Sequence, residues 1–110
     1  MRIWDLHPTL LCRAHLAAEH RELHGLWNIL TLGKKGYSRH PETLRWHGKL
    51  AALYRRHEVL VAEMTRRGWN HQTPLDASLA SGIRYQRTYV DTPARQRQLL
   101  AAKACRCFRA

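Results

Sequence analysis

Residues 15–24 read HLAAEHRELH, with three histidines and two glutamates in ten positions. Such a cluster offers metal ligands, a pair of carboxylates for proton transfer, or the polar side of an ordinary helix. Zinc-dependent proteases place His-Glu-x-x-His on one helix face, where both imidazoles hold the ion and the glutamate acts on water. Here His20 and His24 enclose Arg-Glu-Leu instead. The inverted spacing His-x-x-Glu-His fails too, because three residues separate His15 from Glu19. His20 and His24 stand four apart and share a helix side, but no third ligand is evident beside them. No metal and no cofactor are expected.

The elements that must position these residues follow from periodicity. Positions 9–32 carry apolar residues at three- and four-residue intervals and end at Gly33, which predicts a first helix. On its wheel Leu11, Leu16, Leu23, Leu26, Ile29 and Leu30 gather on one side. His20, His24, Arg13 and Asn28 project to the opposite, solvent side. His15, Glu19 and Glu22 fall within the apolar side or at its edge. Ionised carboxylates are almost never buried unless paired or used. Two readings therefore stand level: ion pairs to arginines of a later helix, or a carboxylate at the mouth of a reactive cleft.

The loop GKKGYSRHP follows, and Pro41 suits the first turn of a second helix. Its apolar stripe is Trp46, Leu50, Leu53, Leu60, Val61 and Met64, and Arg66-Arg67-Gly68 suits its end. Residues 69–91 read as irregular, with only a weak strand pattern in RYQRTYV. Thr92-Pro93 looks like an N-cap with proline at the next position, opening a third helix to about Lys103. The expectation is an all-α, compact three-helix fold with irregular connections, residues 1–110 forming one domain.

Charge then narrows the partner. Lys and Arg number 19 against 8 Asp and Glu, a formal net charge of +11. Such a surface attracts polyanions, nucleic acid first and an acidic membrane surface second. The start, MRIWDLHPTLL, places an acid and a proline where a signal peptide needs an apolar run. No later run approaches the ~18 residues of a membrane span. Cys12, Cys105 and Cys107 are odd in number and poorly spaced for a staple, so they read as reduced thiols of a cytoplasmic protein.

Two stretches resemble a known family. Residues 1–30, through RIWDL to HLAAEHREL, are similar to the start of the phage-type pyrimidine-dimer DNA glycosylases, often called endonuclease V. Those enzymes carry RI after their first residue and HLMAEYREL on the first helix. Residues 44–70, LRWHGKLAALYRRHEVLVAEMTRRGWN, parallel the family's second helix and its ending in Arg-Gly-aromatic-Asn. The resemblance implies a nucleophile at the α-amino group of residue 1, here Met1, and a catalytic glutamate at Glu22. It implies DNA contacts from Arg2, His15 and Arg21. Gly25 stands where the family has a further arginine, and CRCFRA replaces its aromatic tail.

The implied activity is removal of a damaged pyrimidine, in the family a pyrimidine dimer, with associated abasic-site lyase chemistry through an imine and without a metal. The implied partner is damaged double-stranded DNA, met by a monomer. Lys34, Lys35 and Arg39 of the loop and Arg95 and Arg97 of the third helix are the candidate phosphate contacts. The alternative is a catalytically inactive DNA-binding protein of the same fold.

Overall fold

In a computed structural model that describes residues 2–70, 73–103, 105 and 107, the first helix, α1, spans Arg13–Leu32. It stops where the periodicity says it should, at Gly33 in the left-handed conformation. Leu16, Leu23 and Leu26 are fully buried, and Leu11 is buried just before the helix begins. A 3-10 turn at Pro8–Leu10 leads into α1.

The second expected helix is interrupted. A single turn, α2 (Pro41–Leu44), is followed by α3 (Leu50–Arg66), and Gly48 breaks the path between them at φ +73°. The cause is long-range. Lys49, the N-cap of α3, makes no side-chain cap bond, so the first amides of α3 need other acceptors. Ala51 N–H donates to the Ser81 carbonyl at 2.7 Å and Ala52 N–H to the Ile83 carbonyl at 3.1 Å. Ile83 N–H donates in return to the Gly48 carbonyl at 3.0 Å. Gly82 permits this approach, since its φ is +82° and a Cβ there would sit 2.2 Å from the Gly48 oxygen.

α3 packs along α1 and also meets the turns at Pro8–Leu10 and Ala77–Leu79. Of the expected stripe, Trp46 just before α3 and Leu53, Leu60 and Met64 on it are buried, whereas Leu50 and Val61 are half-buried. Residues 80–91 run without regular structure, and RYQRTYV forms no strand. The last helix, α4, spans Pro93–Ala101 and so stops short of Lys103. Its cap is the expected one: Thr92 Oγ1 accepts from Arg95 N–H at 3.2 Å, with Pro93 next in line. The fold is all-α, and no strand occurs among the described residues. No described helix is long and apolar enough to cross a membrane.

Candidate active site

Residues 2–6 form no helix or strand, so their backbone groups need partners from elsewhere. Buried side chains supply them. Ile3 N–H donates to Glu42 at 3.3 Å, Trp4 N–H to Glu19 at 3.1 Å, and Asp5 N–H to Gln96 at 2.7 Å. The carbonyls are held as well: Ile3 O accepts from Arg45 at 3.0 Å and Leu6 O from Arg56 at 2.7 Å. Arg45 also bonds Glu42 and Asp5, while Gln96 returns a bond to the Asp5 carboxylate at 2.8 Å. Side chains from α1, α2, α3 and α4, with Arg45 just after α2, thus hold residues 3–6 in place.

Glu19 is the keystone on α1. It is 1% exposed and accepts a forked pair from Arg56 of α3, Nε to Oε2 at 2.7 Å and Nη2 to Oε1 at 3.0 Å. Burial pushes its carboxyl above the usual range, opposed by Arg56 and the Trp4 amide. A second arginine clamp works at the start of α1. Arg67 donates to the Leu11 carbonyl at 2.7 Å and to the Pro8 carbonyl at 3.2 Å. Arg66 and Arg67 together hold the Glu63 carboxyl at about 2, well below its ordinary value.

Beside the clamped segment lies a cleft of about 400 Å³. Arg2 and Trp4 form one wall, His15 and Glu22 of α1 another, and Leu99 and Lys103 a third. Glu22, one turn from the buried Glu19, is exposed at this cleft. Arg2 stacks its guanidinium over the Trp4 ring at 5.0 Å and pairs with Asp91 at 2.9 Å. A carboxylate, two cationic side chains and an aromatic ring therefore line a space of about 400 Å³.

The family model described as pyrimidine dimer DNA glycosylase matches residues 1–77 of the 110. The chain belongs to this family. No curated protein and no solved structure matches it. The matched region contains the clamped segment, α1 and α3, and it ends before α4.

Membership in a DNA glycosylase family gives the cleft its context. Of the residues singled out from sequence, Arg2, His15 and Glu22 come together at the cleft. Met1 lies outside the described residues. Arg21 is exposed on α1 next to Glu22 in sequence. Lys34 and Lys35 gather elsewhere, at a pocket with Ile29, Trp46 and Gly82 beyond the far end of α1, and Arg39 adjoins them beside Tyr37. Arg95 is exposed on α4 and bonds Gln98 at 3.1 Å. Sequence reasoning passed over Trp4, Leu99 and Lys103. Trp4 had a signal in its place two residues after Arg2, whereas Lys103 had only its charge.

The geometry corrects the reading of His20 and His24. They do not simply face solvent without a third ligand, because His57 of α3 reaches them. His24 Nε2 lies 3.2 Å from His20 Nε2 and 3.1 Å from His57 Nε2, and His57 is fully buried with Nδ1 against Glu58 at 3.0 Å. A second group that could hold a cation joins Cys12, His15, Cys105 and Cys107. Burial pushes the Cys107 thiol up to about 12.

Proposed function

We propose that this chain is a bifunctional repair enzyme: it removes a damaged pyrimidine, with pyrimidine dimers as the expected lesion, and then cleaves at the abasic site. The single observation that supports this best is the path of residues 2–6, fastened by five bonds to four buried side chains and the half-buried Arg56, beside a cleft that carries Glu22. A chain terminus is ordinarily free to fray. Here the fastening reaches Ile3, and covalent geometry keeps the residue 1 nitrogen within about 5 Å of the Arg2 Cα.

In this reading the neutral α-amine of Met1 attacks C1′ of the damaged nucleotide. The N–C1′ bond forms as the glycosidic bond breaks, and the base leaves with the bonding pair. Ring opening gives an imine, loss of a C2′ proton follows, and the 3′ phosphate departs by β-elimination. An α-amine titrates near ~7.7–8.0 against ~10.4 for lysine, so far more of it is reactive at neutral pH. The Glu22 carboxylate stabilises positive charge as it develops on the sugar and serves in the proton transfers. Arg2, His15 and Lys103 meet the phosphates or the displaced base at the cleft, and the exposed Arg21 meets the DNA beside it. Lys34, Lys35, Arg39 and Arg95 are outer contacts to the duplex, which must kink or flip a nucleotide to expose C1′.

Borohydride trapping on an abasic duplex tests the reading. The expected result is a covalent protein–DNA adduct that peptide mapping assigns to residue 1. Lys103 provides the sharpest counter-outcome, because it is the lysine lining the same cleft. An adduct on Lys103 keeps the lyase and overturns the nucleophile. No adduct and no strand cleavage, with DNA still bound, favours the inactive DNA-binding protein.

A further inference from the structure

Cys12 and His15 form one close pair at the start of α1, and Cys105 and Cys107 form another ninety residues later. The fold brings the two pairs to one point. One donor atom from each of the four lies within 4.8 Å of every other. His15 Nδ1 stands 3.2 Å from Cys12 Sγ and 3.2 Å from Cys107 Sγ. A tetrahedral zinc ion with Zn–S of ~2.3 Å and Zn–N of ~2.0 Å spaces its donors about 3.6 Å apart. The two sulfur–nitrogen distances to His15 already lie within about half an ångström of that spacing.

Hydrogen bonding alone explains this arrangement poorly. Each imidazole nitrogen carries either one proton or one lone pair, yet two sulfurs approach Nδ1 at the same distance. Cys107 is buried, and its sulfur accepts the Cys12 backbone N–H at 3.1 Å. An amide aimed at a buried sulfur is the outer contact that a metal-bound thiolate takes. Cys12, although it is the N-cap of α1, makes no side-chain cap bond, so its sulfur is turned to this cluster rather than to the helix.

We propose that Cys12, His15, Cys105 and Cys107 form a closed four-ligand site for zinc, which fastens the end of the chain to the start of α1. Four protein ligands leave no open position, so the ion is structural. On binding, the thiol protons pass to solvent. The odd cysteine count thus becomes a Cys3His ligand set. The consequence for the cleft is direct. His15 lines it, so the ion fixes one wall and leaves only His15 Nε2 for DNA. Cys105 and Cys107 lie beyond the residues that the family model matches, so two of the four ligands come from outside the matched region.

The test uses the full chain, purified without chelator, with zinc alone as the probe. Titration with a mercurial should release zinc in step with modification of three thiols. Cobalt(II) reconstitution of the same chain should give an intense thiolate-to-cobalt charge-transfer band. Cys107→Ser should weaken zinc binding by more than the roughly 10–100-fold that loss of an outer-shell partner costs. His24→Ala should leave the thiol-linked zinc in place, which separates this site from the histidine group. Even if Cys107→Ser fails to fold, the mercurial and cobalt measurements on the parent decide the matter. Zinc released without thiol modification overturns the proposal. So does a parent with three freely reactive thiols and no cobalt band, or a native disulfide within the cluster.

Discussion

The region around Glu19 and the region around Glu22 start one helical turn apart and are built on opposite terms. Glu19 is enclosed, forked to Arg56 and bonded to the Trp4 amide, so both its oxygens are taken up by the fold. Glu22 is exposed at a cleft that Glu19 borders only as a buried group, and the cations there, Arg2 and Lys103, are within reach of solvent. In the first region charge is spent on holding the N-terminal segment still. In the second it is left open for a ligand. The same residue type thus positions in one place and, on our proposal, reacts in the other, because α3 supplies an arginine to Glu19 while Glu22 is left exposed among the described residues.

Salt should separate the two regions most widely. Charges exposed at the cleft and loop are screened, whereas buried ion pairs are not. With about six phosphates neutralised, affinity for undamaged duplex should fall on the order of a thousandfold between ~50 and ~200 mM salt. Over the same range the thermal midpoint should barely move. Filter binding and calorimetry on one salt series measure both, and a flat binding curve would mean that the basic surface serves a partner other than DNA.

Glu22→Gln comes next in size. It removes a charge that acts mainly as the sugar becomes cationic, so base removal should drop about 10²–10³-fold. Stability should hold, since the side chain is exposed. Duplex binding should persist or tighten, because one repulsive charge leaves the interface. Single-turnover cleavage at the parent rate would move the reactive carboxylate away from Glu22.

Arg56→Met addresses the enclosed region. It keeps the stem but leaves Glu19 buried and unpaired, at a cost of about 3 kcal/mol at neutral pH. Burial already raises the Glu19 pKa. The penalty therefore applies while Glu19 is ionised and should shrink as pH falls and the carboxyl takes up a proton. Urea melts of parent and variant at pH 7 and pH 5 check the sign. A cost that grows on acidification would show that something other than the Glu19 charge carries it.

The division between these regions was only half legible in the sequence. Helix α1 was readable because its apolar spacing and Gly33 are local signals. So was the start of α4 at Thr92-Pro93. The break at Gly48 was not, because the carbonyls that cap α3 come from residues 81 and 83. A helical wheel sets Glu19 and Glu22 about 60° apart, which leaves both within one broad face; only the position of Arg56 on α3 tells them apart. His57 was hidden in the same way, since its partners His20 and His24 lie on another helix. The Asp5–Gln96 and Cys12–Cys107 contacts span most of the chain, and no local pattern announces them.

The smallest effect concerns the carboxylate that behaves opposite to Glu19. Glu63 is held at about 2 by Arg66 and Arg67, and Arg67 also grips the carbonyls of Pro8 and Leu11 just before α1. A carboxyl whose folded value lies below its unfolded one stabilises the fold while it is ionised. That contribution is complete above its ordinary value of 4.5 and is lost as pH falls through about 2. Arg66 is mostly exposed, with 64% of its side chain accessible, so solvent screens part of the effect and about 1 kcal/mol is expected. Glu63→Gln should lower stability by that amount at pH 7 and leave it unchanged near pH 2. Arg56→Met should run the same way, costing most at pH 7 and least in acid, but for a different reason: there Glu19 becomes neutral, whereas at Glu63 the parent loses its own ion pairs. The double variant distinguishes these causes. If the two clamps are independent, its cost at each pH should be the sum of the single costs within about 0.5 kcal/mol. A larger departure would mean that the Glu63 clamp on Pro8 and Leu11 and the Glu19 clamp on residues 4–6 hold the N-terminal segment as one unit.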